Sequence, residues 1–339
     1  MKLSRLSEFQ TQTLRFLEML FEQLRVHSIS LADHWMIDHL CYRVSTEQEY
    51  FAKKDDFSSF GELLIESEVN GRLISTFKLF EPIKFRNWNI PLLELPAPKK
   101  GKHTPAGWEH IEVVCDVPFS SLRSTLAHCN VDLGGLAKPF NQEFEIKLRD
   151  CAVKFHHLSL ESVIRLERNE KIHGSLMRSK VLNALASYNP LIAGTFPLGL
   201  EDAGSDLDIL VETHNFDAFS TEISSKLGSF TDFKSYKMKI QGIETLVANF
   251  SFEGVPYEVF AQPIPAVAQK AYRHFHAEER LLHLGGRSLQ ESVLKRKIGG
   301  LKTEPAFAEV LRLNGDPYES LLEFQQLSEQ EIIKRLPIR

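Results

Sequence analysis

Apolar residues recur at three- and four-residue spacings near the start of the chain, as Leu3, Leu6, Phe9, Leu14, Phe16, Leu17, Leu20, Phe21 and Leu24. That period predicts an amphipathic helix over residues 1–30 that packs on the domain following it. From residue 36 the period changes. Residues 36–44 read as a strand, and 46–60 as a helix opened by Ser45 or Thr46 as its cap. Residues 63–69 and 72–80 alternate around Asn70-Gly71, a strong hairpin signal, and 90–95 form a further strand stopped by Pro96 and Pro98. The order then begins again: a strand over 108–114, a helix over 119–129, and a hairpin of 144–148 with 152–157 around Arg149-Asp150. The two halves match in plan, which predicts a repeat of strand, helix and strands. In each opening strand a histidine follows an acid, Asp38-His39 and Glu109-His110.

Residues 161–169 close this domain in the sequence reading, and 170–174 form a short polar joint. The domains predicted are therefore the helix of 1–30, a domain over 31–169, and a second over 175–339. A joint of about five residues spans at most about 18 Å. Residues 175–187 show helical spacing and end at Asn189-Pro190. Next come a strand over 191–193, a strand over 206–211, a helix over 216–227 ended by Gly228, and two strands over 243–252 and 255–261 joined at Glu253-Gly254. From Pro265 to about Arg335 the pattern is helical.

Within that second part, Ile192-Ala193-Gly194-Thr195 ends an apolar run in a small-residue turn, and Gly204-Ser205-Asp206-Leu207-Asp208-Ile209 opens another. Residues i and i+2 of a strand share a face, so Asp206 and Asp208 project together while Leu207, Ile209 and Val211 enter a core. Glu258 lies between apolar neighbours in Tyr257-Glu258-Val259-Phe260, where an acid is costly unless it meets a cation. Magnesium, which takes carboxylates together with phosphate oxygens, would answer all three acids. Gly194, Thr195, Gly204 and Ser205 would let backbone N–H groups approach phosphate. Lys270 and Arg273, on one helix face, are candidate triphosphate cations.

Composition narrows the field. With 43% hydrophobic and 25% charged residues the chain is ordinary for a globular protein of two domains. A net charge of −5 argues against general nucleic-acid binding, and no apolar run reaches bilayer length. Cys41, Cys115, Cys129 and Cys151 show no C-x-x-C spacing, and their mostly apolar neighbourhoods fit reduced, buried thiols in the cytoplasm.

Two resemblances bear on function. Gly194-Thr195 followed by Asp206-Leu207-Asp208 resembles the signature of the nucleotidyltransferase superfamily, in which the first two Asp hold metals and a third acid comes from a neighbouring strand. The whole of 175–335 is also similar to an uncharacterised family of that superfamily, through Glu258-Val259-Phe260-Ala261-Gln262-Pro263, Gln269-Lys270-Ala271-Tyr272-Arg273-His274 and Lys302-Thr303-Glu304-Pro305-Ala306-Phe307. The likeness implies a Mg²⁺-dependent enzyme acting on an NTP and an acceptor that is a small molecule, a protein or an RNA end.

Residues 30–168 resemble YecM-type proteins of the vicinal-oxygen-chelate (glyoxalase/bleomycin-resistance) superfamily. The motifs are Ile37-Asp38-His39, Phe77-Lys78-Leu79-Phe80-Glu81-Pro82, Glu94-Leu95-Pro96, Gly107-Trp108-Glu109-His110-Ile111-Glu112, Val153-Lys154-Phe155-His156 and Ser159-Leu160-Glu161. By position the likeness implies His39, Glu94, His110 and His156 as ligands to a divalent Zn, Ni, Fe or Mn. Glu112, on the strand face of His110, is then a carboxylate that orients a ligand or acts as general base. The fold class expected is α+β: paired βαβββ modules, then a small nucleotidyltransferase-like α/β core with a helical C-terminal part. The functions expected are nucleotidyl transfer, or a metal-dependent oxygen-chelate reaction, or non-catalytic ligand binding and regulation.

Overall fold

The computed structural model describes residues 2–101 and 104–337, with side chains from residue 7 onward, so Leu3 and Leu6 lie outside the described side chains. The chain divides into two units. The first holds residues 1–115, 119–138 and 142–156, and the second holds 116–118, 139–141 and 157–339.

In the first unit the 25-residue helix α1 (Lys2–Val26) buries Phe16, Leu17, Leu20, Phe21 and Leu24. The Phe21 ring lies 5.0 Å from Phe85 and 5.5 Å from Trp88, which carries the predicted packing of this helix onto its own domain. The first module is β1 (Met36–Arg43), α2 (Glu47–Ser58), β2 (Gly61–Val69), β3 (Arg72–Phe85) and β4 (Trp88–Pro96). The second is β5 (Gly107–Val114), α3 (Phe119–Thr125), β6 (Val131–Asp132), β7 (Phe144–Lys147) and β8 (Ala152–His156). Thr46 caps α2 by accepting from Glu49 N, while Glu49 accepts from Ser45 N, so the local sequence fixes where the helix begins. Asn70 and Gly71 both have positive φ, 51° and 76°, the turn that matches strand twist.

One sheet contains all eight strands in the order β2-β3-β4-β1-β5-β8-β7-β6. Each module contributes its four strands as a block, and the opening strands β1 and β5 pair antiparallel at the centre. Within each block the opening strand is parallel to the last, β1 to β4 and β5 to β8. The repeat seen in the pattern is thus a repeat of topology. It brings the first and last strands of both modules side by side.

In the second unit, α4 (Leu160–Arg168), α5 (Glu170–Ser179) and α6 (Val181–Ala184) precede β9 (Leu191–Ala193). Three expectations need correction here. Residues 170–174 are no joint but the first half of α5, whose start Asn169 caps by accepting from Ile172 N. The 161–169 segment belongs to the second unit: Val163 and Leu166 join its core, and Glu279 accepts from Ser159 N and Ser162 Oγ. The helix expected over 175–187 breaks at Lys180, which takes a left-handed φ of 53°.

After β9 come α7 (Thr195–Leu198), β10 (Leu207–Glu212), α8 (Phe216–Leu227), β11 (Thr231–Ile240), β12 (Ile243–Phe252) and β13 (Val255–Gln262). The helical part is α9 (Lys270–Ile298), α10 (Thr303–Leu311), α11 (Pro317–Leu322) and α12 (Glu329–Arg335), with α9 kinked at Gly286. The sheet order is β11-β12-β13-β10-β9. No described helix is long and apolar enough to cross a membrane.

Candidate metal and nucleotide sites

In the second unit, β10 sits between β9 and β13, with Asp208 opposite Ala193 on one side and Glu258 on the other. Because β10 and β13 run parallel in that register, Asp208 and Glu258 stand abreast on one face. Asp206, two residues earlier, joins them, and oxygens of all three carboxylates lie within 4.8 Å of one another. Burial and the charges of Asp206, Glu258 and Glu304 push Asp208 up to about 8. Burial also raises Asp206 and, together with Asp206, raises Glu258, which Asn249 Nδ2 partly steadies at 3.1 Å. Three hard oxygens converging on one point, and paying for it in protonation, are a donor set suited to Mg²⁺.

Gly194 makes this packing feasible. Its φ is +75°, and a Cβ there would lie 1.8 Å from Asp208 Oδ2. Thr195 Oγ1 donates to Ser205 Oγ at 3.2 Å, joining the turn after β9 to the loop before β10. The N–H groups of Gly204 and Ser205 are already engaged within that loop, by Asp202 Oδ1 at 2.9 Å and Asp202 O at 3.1 Å. Expected to face phosphate, they instead fix the loop.

Lys270 and Arg273 are likewise engaged. Lys270 Nζ lies 2.6 Å from Glu319 Oε1, and Arg273 Nε donates to Gln325 Oε1 at 2.8 Å. The buried Gln269 ties the start of α9 to the end of β10 by donating to Val211 O at 2.8 Å. Sequence reasoning placed Lys297 with Lys295, Arg296 and Lys302 in a basic cluster that could meet a triphosphate, but missed that the residue is buried, with its ammonium 3.4 Å from Asp202 and 2.9 Å from Thr303 Oγ1. It also missed Glu304 and Glu278. Glu304 acts on Asp208, and Glu278 is pushed well above the carboxylate range by burial and Glu304. Their only sequence signal is an acid within an otherwise apolar helix face.

In the first unit the central strands of both modules turn a polar face inward. Ligand atoms of His39 (β1), Glu94 (β4) and His110 (β5) lie within 4.8 Å of one another, and Cys41, Glu109 and His110 form a second such group. Asp38 holds His39 Nδ1 at 2.8 Å and Glu109 holds His110 Nδ1 at 3.0 Å. A carboxylate on Nδ1 fixes the tautomer and presents Nε2 for coordination. His39, only 1% exposed, leaves Nε2 without a hydrogen-bond partner. These features fit a metal of the Zn, Ni, Fe or Mn type.

His156 (β8) is not in either group. Its Nε2 lies 2.8 Å from Glu112 Oε2. Glu112 Oε1 lies 3.2 Å from His110 Nε2, 3.5 Å from His39 Nε2 and 3.3 Å from Lys154 Nζ. Burial opposes the charge on Glu112, but His39, Lys154 and His156 outweigh it and hold the carboxylate well below its ordinary range. Burial likewise opposes charge on His39, and Glu112 with Asp38 outweighs it, raising that imidazole.

The first unit's motifs have relatives. A sequence profile described as YecM protein matches residues 5–148. An uncharacterised protein of Haemophilus influenzae is 30% identical over 158 residues, covering 40% of this chain and 82% of that one. The chain belongs to the YecM family. Protein YecM of Escherichia coli is 29% identical over 153 residues, 41% of this chain and 79% of that one. A second profile, described as a domain of unknown function (DUF4269), matches residues 174–324. A solved structure of the Cid1 poly(U) polymerase with MgGTP bound is similar over 45% of this chain and 47% of that one, at 14% identity and a TM-score of 0.30.

Proposed function

We propose that the second unit is a Mg²⁺-dependent nucleotidyltransferase. The observation that carries this reading is the Asp206–Asp208–Glu258 group, three acids gathered within 4.8 Å, from the residue before β10, from β10 and from the adjacent β13, at the cost of ionisation. Bound Mg²⁺ would supply positive charge for an NTP's phosphates and for the attacking oxygen. Asp206 and Asp208 would hold it, with Glu258 steadied by Asn249. In the transfer, an acceptor oxygen bonds to the α-phosphorus, the bond to the bridging oxygen breaks, and pyrophosphate leaves. The acceptor's proton passes to a carboxylate of the group. Gly194 keeps Asp208 free to move onto a cation, and Thr195 with Ser205 holds the loop that flanks it.

The acceptor in this reading is a small molecule, a protein or an RNA end. The net charge of −5 weighs against general nucleic-acid affinity and fits a cytoplasmic protein that acts away from membranes. Incubation with α-labelled NTPs and Mg²⁺ tests it. Covalent label on an acceptor with release of pyrophosphate is expected, and its loss in Asp208→Asn. Nucleotide bound but never transferred, across a broad acceptor panel, would make this a binding module instead.

A second reading rests on the His39–Glu94–His110 group of the first unit, which favours a transition-metal site for an oxygen-chelating substrate. Metal content after purification without a polyhistidine tag tests it. One equivalent of metal supports the reading, and a metal-free first unit that takes none up refutes it.

A further inference from the structure

We propose that Glu112 is a direct ligand to the first unit's metal, and that His156 positions Glu112 rather than binding the ion. This exchanges the roles that sequence position implied for the two residues. It rests on the reading that this unit binds a metal.

Asp38 and Glu109 pin the Nδ1 atoms of His39 and His110, so each ring offers Nε2. Both Nε2 atoms converge on one oxygen, Glu112 Oε1, at 3.5 and 3.2 Å. Around one ion with bonds of about 2.1 Å, neighbouring donors are about 3.0 Å apart in an octahedron and about 3.4 Å in a tetrahedron. Glu112 Oε1 therefore already stands at donor spacing from both imidazoles. His156 does not share this arrangement, because its Nε2 stands 2.8 Å from the other oxygen, Oε2. Glu94 lies within 4.8 Å of both histidines, and with Glu112, which like His156 is outside that group, it would make a set of two imidazoles and two carboxylates.

Lys154 is the remaining cation, 3.3 Å from Oε1 and 18% exposed at its side chain. A metal taken up here displaces that ammonium from Glu112.

The test uses the full chain carrying Asp206→Asn and Asp208→Asn, which removes the second unit's acids from the count. Co²⁺ is titrated by visible absorption, and Cu²⁺-loaded protein is examined by pulsed electron paramagnetic resonance to count coordinated imidazoles. Glu112→Gln should weaken Co²⁺ at least about 100-fold, and His156→Gln about 10-fold, the range for a residue acting through a ligand. Two imidazoles should be counted. Three imidazoles, or a larger loss in His156→Gln than in Glu112→Gln, would overturn the assignment while leaving the metal site intact. No Co²⁺ uptake in the parent would overturn both. If either variant fails to fold by circular dichroism, the imidazole count on the unsubstituted first unit decides alone.

Discussion

Replacing Asp208 by Asn should stabilise the metal-free protein. With its pKa pushed up to about 8 by burial and by Asp206, Glu258 and Glu304, folded Asp208 keeps a proton that the unfolded chain has lost above about 3.8. The folded state therefore binds more protons between those values, and stability falls as pH rises through that window. At pH 7 the difference is about 3 pKa units at about 1.4 kcal/mol each, so about 4 kcal/mol is an upper bound. Asn removes the charge and keeps the shape. Relaxation of the site halves the figure, and at roughly 2–4 °C per kcal/mol a domain of this size should melt about 4–8 °C higher. Calorimetry in chelator at pH 7.5 and pH 4.5 measures it. All three tryptophans, Trp35, Trp88 and Trp108, lie in the first unit, so their fluorescence marks that unit's transition and the calorimetric remainder is the second's. The gain should nearly vanish at pH 4.5, and Mg²⁺ should stabilise the wild type alone. A variant that melts lower in chelator at pH 7.5, or a gain independent of pH, would refute the reasoning.

Gly194→Ala should abolish Mg²⁺-dependent nucleotide binding and cost about 1–3 kcal/mol, since the new Cβ would meet Asp208 Oδ2 at a positive φ; thermal melts and calorimetric titration check both halves. Glu66 accepts from Lys54 at 2.5 Å, Tyr50 at 2.7 Å and Ser75 at 2.8 Å, and the first two chiefly lower its pKa to about 2. Its contribution is present above about 4.5 and lost as pH falls through 2, so Glu66→Gln should cost about 1 kcal/mol in denaturant melts at pH 7 and nothing at pH 2. A truncated chain starting at His157 should unfold cooperatively, whereas one starting at Glu170 should not, because the latter lacks Leu158, Val163 and Leu166 of that core. Equal melting of the two would return α4 to the first unit.

What the sequence made legible followed from local rules. Asn70-Gly71 and Glu253-Gly254 both adopt the positive φ values that their residue types favour, and the strands on either side were found with them. The aspartates at 206 and 208 were visible because a strand's period of two forces them together. Strand β11 was missed because Thr231–Ile240 is a largely exposed sheet edge carrying Lys234, Lys237 and Lys239, with little apolar alternation to detect. Helix α5 was taken for a joint because Gly174 and polar neighbours hide its period, while the cap at Asn169 acts through a single hydrogen bond. At the sites, partners distant in sequence were the illegible part. Nothing in Lys154 announces that it reaches Glu112, nor in Glu319 and Gln325 that they take up Lys270 and Arg273. Such pairings depend on register and helix packing, which one sequence does not display.

The central claim is tested most directly by calorimetric titration of ATP, GTP and CTP with Mg²⁺ into the wild type and into Asp206→Asn/Asp208→Asn. Magnesium-dependent binding of at least one nucleotide, absent from the folded double variant, is the result predicted. Failure of a folded wild type to bind any of them, or equal binding by the double variant, would contradict the account.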